Sequence, residues 1–84
     1  MNLSNNAGLY GSSKFSETFG THFTEEGIDQ IEEYAAEYGE DEVIAAIDIA
    51  CEKYESAVEA WLRLSGILYN RRRIRTKYLE DDAE

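Results

Sequence analysis

Glu25, Asp29, Glu33 and Glu37 stand four residues apart, and Ile28, Ile31, Tyr34, Ala35 and Tyr38 fall between them at spacings of mostly three and four. An extended strand would split the apolar set between its two faces, whereas a helix of about 3.6 residues per turn gathers it on one side and stacks the acids on another. The pattern therefore demands an amphipathic helix with a row of like charges along its wet face. Such a row costs roughly 0.2–0.5 kcal/mol per pair of carboxylates. A chain that tolerates this either leaves the face to water or presents it to a basic partner.

The imbalance reaches beyond that helix. Between Glu25 and Glu59 thirteen acidic residues face a single basic one, Lys53; between Arg63 and Lys77 there are six basic residues and no acid; four more acids lie in Glu80 to Glu84. The formal net charge of -10 opposes general electrostatic attraction to DNA or to an anionic membrane, and favours a protein partner with a basic surface.

Eighty-four residues, 43% of them hydrophobic, suffice for one small core. With no proline and abundant Ala, Glu, Leu and Arg, the expected fold is all-α, a small single-domain bundle of three to four helices. Cys51 stands alone, so packing rather than a disulfide must hold the fold, as suits a reducing cytosol. No long apolar run or charged-then-apolar amino terminus marks a membrane span or a signal peptide, and a soluble cytoplasmic protein is expected.

Along the chain, residues 1–13 carry Asn, Ser and Gly with few anchors and read as a flexible N-terminal arm. Residues 14–79 read as the helical domain and residues 80–84 as an acidic tail. A short helix is expected from Ser13, with Phe15 and Phe19 on one face and Gly20 as its stop. Thr24 reads as an N-cap followed by Glu25 and Glu26 near the positive helix end, with Phe23 and Ile28 as a hydrophobic staple and Gly39 as terminator. Glu40 or Asp41 is expected to cap the next helix, which carries Val43, Ile44, Ile47, Ala50, Cys51 and Tyr54. Ser56 and Glu59 form a capping-box pattern for a last helix through Trp61, Leu62, Ile67, Leu68, Ile74 and Tyr78; without Gly or Pro between Tyr54 and Ser56, one continuous helix is the alternative. Gly66 inside the last helix costs about 1 kcal/mol relative to Ala and points to a close helix contact or a bend.

Candidate chemistry is sparse. His22 with Glu25 and Glu26 lacks a second nitrogen or sulfur ligand for a metal, and the acids around Gly39 lack the spacing of a calcium loop. Cys51 lies on an apolar stripe with no histidine to pair with. No nucleophile and base, phosphate-cradling loop or metal cluster is evident, so neither an enzyme nor a cofactor is expected. Two charged surfaces remain. Arg71, Arg72, Arg73, Arg75 and Lys77, beside Tyr69 and Tyr78, form a candidate nucleic-acid or partner contact; alternatively they pair with Glu80 to Glu84 or with the acidic helices. Glu25, Asp29, Glu33 and Glu37 form a candidate partner-binding face, with carboxylates about 6 Å apart along the axis, near the spacing of phosphates along one nucleic-acid strand. A merely solvated face is the alternative.

The stretches Phe19 to Gly39, FGTHFTEEGIDQIEEYAAEYG, then DEVIAAIDIACEK, then Arg63 to Asn70, RLSGILYN, resemble the C-terminal domain of the DnaD family. These are helical modules of primosomal DnaD and DnaB proteins of Gram-positive bacteria and of phage replisome organisers. The resemblance spans Phe15 to Asn70 and implies a DnaD-like bundle in a DNA-replication setting. In the family a Tyr before and a Trp after the Ile-Leu pair are implicated in DNA binding and assembly; the matching positions here are Arg63 and Arg71. What carries over is a DNA-facing last helix through Arg71, Arg72, Arg73, Arg75 and Lys77. The expectation is a phage-associated, non-enzymatic module that binds a DNA-replication or nucleic-acid-handling complex, with weak DNA contact. The alternative is an acidic inhibitor of a nucleic-acid-binding effector by charge mimicry, of the anti-CRISPR kind, and a homo-oligomer is a third possibility.

Overall fold

Thr24 caps a helix as its position predicts: in a computed structural model that describes residues 6–83, with side chains for residues 7–74, its Oγ1 accepts the N–H of Gly27 at 3.0 Å. The helices are α1 (Asn6–Phe19), α2 (Glu25–Tyr38), α3 (Glu40–Lys53) and α4 (Ala57–Ala83). No strand occurs among the described residues, and the chain is a small all-α bundle.

The turns follow local chemistry. Gly20 (φ 78°) ends α1, its N–H donating to the Ser16 carbonyl at 2.9 Å. Gly39 (φ 104°) is the only residue between α2 and α3, and a backbone angle in this range favours a residue with no Cβ. It ends α2 through a bond to the Ala35 carbonyl and accepts the Val43 N–H as α3 begins. Ser56 starts α4, its Oγ accepting the Glu59 N–H at 3.1 Å. The chain therefore breaks between α3 and α4, and the continuous-helix alternative is not what forms.

The central element is α3, on which α1, α2 and α4 all pack. It supplies Val43, Ala46, Ile47, Ala50 and Cys51 to the core; Phe15, Ile31, Leu64 and Leu68 close over them from the other three helices. Burying each large apolar side chain contributes about 1.5–3 kcal/mol. At one end the rings of Phe15, Phe23 and Trp61 stack in sequence, with centroids 4.7 Å and 5.1 Å apart, joining α1, the α1–α2 connection and α4.

Three expectations are corrected. The arm expected over residues 1–13 is helical from Asn6, so α1 starts seven residues before Ser13; Met1–Asn5 lie outside the described residues. The reason is close packing. A Cβ on Gly8 would lie 2.9 Å from Ile28 Cγ2, and one on Gly11 would lie 2.7 Å from Phe23 Cε2 and 2.8 Å from Ile47 Cδ1. These glycines let α1 sit down on α2 and α3, and Ala7 is fully buried beside them. Second, neither Glu40 nor Asp41 caps α3: both lie inside its first turn, and Glu40 instead accepts the Ala7 N–H at 3.2 Å, at the start of α1. The residues read as the acidic tail continue α4 as far as Ala83, and Glu84 lies outside the described residues. Third, of the close contact or bend expected at Gly66, the contact is absent among the described residues, since a Cβ placed there meets nothing within 4 Å.

Candidate functional site

The capped start of α2 sets the direction of its acidic face. Glu25, Asp29 and Glu33 are all exposed, and none has an ion-pair partner among the described residues. Successive carboxylates are offset by about 6 Å along the helix. Glu25 and Glu26 sit in the first turn, where the exposed N–H groups favour negative charge; Asp29 and Glu33 lie too far along to share that benefit.

The fourth member of the row behaves differently. Glu37 reaches the last turn of α2, where the basic run of α4 crosses it. Arg72 donates to the Glu37 carbonyl at 2.7 Å, sits 3.5 Å from its carboxylate, and lies with its guanidinium carbon 4.3 Å from the centroid of the Tyr38 ring. An arginine here satisfies a terminal helix carbonyl and meets the negative end of the helix dipole. One residue earlier, Arg71 grips Glu42 of α3 through Nε to Oε1 at 2.8 Å and a second nitrogen to Oε2 at 3.4 Å. This fork geometry is the stronger form of ion pair, and Glu42 is only 19% exposed.

The basic run is thus divided. Arg71 and Arg72 bind the acidic helices, one of the two alternatives left open by the sequence, and Arg73 is exposed with no ion pair among the described residues. The side chains of Arg75 and Lys77 lie outside the described residues, as do those of Tyr78 and of Glu80 to Glu84. The structure therefore does not assemble Arg71, Arg72 and Arg73 into one outward phosphate-binding surface.

His22 is exposed in the α1–α2 connection, on the rim of an open groove of about 500 Å³ floored by Phe23, Tyr34 and Trp61. No group of three His, Cys, Asp or Glu side chains is placed to hold a metal ion among the described residues. Cys51 is buried; burial pushes its thiol up, and a hydrogen bond with Thr18 works against that shift. Tyr10 donates its hydroxyl to Asp48, and this bond, with burial and the Asp48 charge, pushes its pKa up to about 12. Both groups tie α1 to α3. No described helix is long and apolar enough to cross a membrane.

Sequence reasoning placed Tyr38 on the apolar side of α2, but it foresaw neither its contact with Arg72 nor the Arg71–Glu42 and Tyr10–Asp48 pairs. The Arg71–Glu42 pair is 29 residues apart in the chain and Tyr10–Asp48 is 38 apart, so neither leaves a trace in helical spacing. No protein-family model matches the chain, and no curated protein or solved structure matches it either.

Proposed function

We propose that this chain is a non-enzymatic, DnaD-like protein-binding module of a bacterial cytoplasm, phage-associated, that docks through the acidic face of α2 on a basic surface of a DNA-replication or other nucleic-acid-handling complex. The observation that carries this reading is the unpaired state of Glu25, Asp29 and Glu33, in a molecule that pairs its carboxylates at Glu37 and Glu42 where arginines are within reach. Exposed like charges that no arginine among the described residues answers are well suited to steering and orienting a basic partner. Direct DNA contact is the lesser part of the proposal, because Arg71 and Arg72 are engaged and the net charge of -10 opposes it.

A second reading, the charge-mimicking inhibitor, draws on the same carboxylates and their phosphate-like offset of about 6 Å. One experiment separates the two. The full chain and an E25K/D29K/E33K variant are used as bait in a nuclease-treated bacterial lysate, and duplex DNA is then added to the captured material. Both readings expect nucleic-acid-binding proteins on the wild type and their loss from the variant. Elution by DNA marks the inhibitor, and retention with DNA bound marks the replication module. Equal capture by the variant overturns both. In a low-salt mobility-shift titration, weak retardation that Arg73→Ala removes supports the DNA contact, and no retardation confines the function to protein.

A further inference from the structure

Independently of the α2 face, we propose that α4 is a self-association surface, pairing antiparallel with α4 of a second copy about a two-fold axis near Gly66. The inner side of α4 is spent on the core through Ala60, Leu64 and Leu68. Its outer side leaves large apolar side chains open among polar ones: Val58 is 71% exposed, Leu62 68% and Tyr69 59% along one flank, and Ile74 52% on the other. Glu59, Leu62, Gly66, Tyr69 and Arg73 follow one another at alternating spacings of three and four, the pattern of a seam between two paired helices.

Gly66 stands at the middle of that seam. It costs about 1 kcal/mol of helix stability relative to Ala, yet nothing among the described residues lies near enough to require it. A glycine has its use where another backbone approaches closely, and a second α4 is the approach that a central position on an exposed seam permits.

Charge selects the partner. The seam begins with Glu59 and ends with Arg73, both exposed and neither in an ion pair among the described residues. Each is seven positions from Gly66, about 10 Å along the axis. In an antiparallel pair centred on Gly66, Glu59 of one copy therefore meets Arg73 of the other, twice. The same register brings Leu62 of one copy beside Tyr69 of the other, on the same flank of the seam. A parallel pair would instead set Glu59 on Glu59 and Arg73 on Arg73. The face is thus complementary to itself in one orientation, as a two-fold interface requires. From Val58 to Ile74 it spans about 24 Å of helix, below the usual size of a permanent interface, so the dimer is weak and concentration-dependent, in the range of about 10 to 500 µM.

Sedimentation of the full chain from about 10 µM to 1 mM tests this. The mass is expected to rise from 9.6 kDa toward twice that value. Leu62→Asp and Gly66→Phe, both at open positions, should hold the chain monomeric while circular dichroism and thermal unfolding remain those of a folded bundle. Glu59→Arg and Arg73→Glu should each weaken the dimer about tenfold, and together restore it to within about twofold. A wild type that stays at 9.6 kDa throughout, a dimer indifferent to Leu62→Asp, or a double swap that fails to restore association would each overturn the proposal.

Discussion

The two ends of the acidic row on α2 differ in company rather than in chemistry. Glu37, with Glu42 just beyond it on α3, meets Arg72 and Arg71 of α4, and there carboxylate and guanidinium tie three helices together. Glu25, Asp29 and Glu33 carry the same charge on the same helix, stand exposed and have no ion pair among the described residues. The difference teaches that a charge pattern legible in sequence has two physical meanings. Which one holds at a given residue depends on the element that crosses it, not on its own helix. The glycines repeat the contrast: Gly11 is pressed against Phe23 and Ile47, and Gly66 faces open space.

The largest effect is expected where contact is closest. Gly11→Val places atoms where side chains of Phe23 and Ile47 already lie within 3 Å, and it should destabilise the bundle by about 1–3 kcal/mol in urea unfolding. A smaller loss would mean that α1 is more loosely seated than its contacts indicate. Next comes the paired corner. Arg71→Ala leaves the half-buried Glu42 without its fork, and a loss of about 1–2 kcal/mol is expected, less than for a buried pair because Arg71 is 38% exposed. High salt should shrink the gap between variant and wild type.

Tyr10→Phe removes the α1–α3 hydrogen bond and should cost about 1 kcal/mol at neutral pH. Its signature lies at high pH. The folded pKa of Tyr10 stands at about 12, above its ordinary 10.0, so the folded state holds this proton more tightly than the unfolded chain. The resulting stability is fully present below pH 10 and is lost as pH rises through about 12. Wild-type stability should therefore fall more steeply across that window than stability of the Phe variant, and parallel curves would contradict the assignment.

Much of the fold was legible because it is written in local chemistry. Thr24 and Ser56 as caps, Gly20 and Gly39 as stops, and the apolar spacing of α2 and α3 all depend on residues within one turn of each other. Where the reading failed, the cause lay in a neighbour distant in sequence. Gly8 and Gly11 look like loop residues until Ile28, Phe23 and Ile47 are known to press on them, so spacing alone starts the first helix at Ser13 rather than Asn6. Glu40 looks like a cap for its own helix until the first turn of α1 is placed beside it. The candidate surfaces were visible as charge, whereas the partners that Arg71 and Arg72 meet within the fold, Glu42, Glu37 and Tyr38, belong to other helices and were not.

The central claim is that the corner charges hold the fold and the row charges do not. Equilibrium unfolding of a D29N/E33Q variant, beside Arg71→Ala, tests it most directly. Neutralising Asp29 and Glu33 relieves like-charge contacts of roughly 0.2–0.5 kcal/mol each, so stability should stay level or rise slightly while Arg71→Ala falls. A loss of about 1 kcal/mol or more in D29N/E33Q would mean that the row is structural, and would contradict the account.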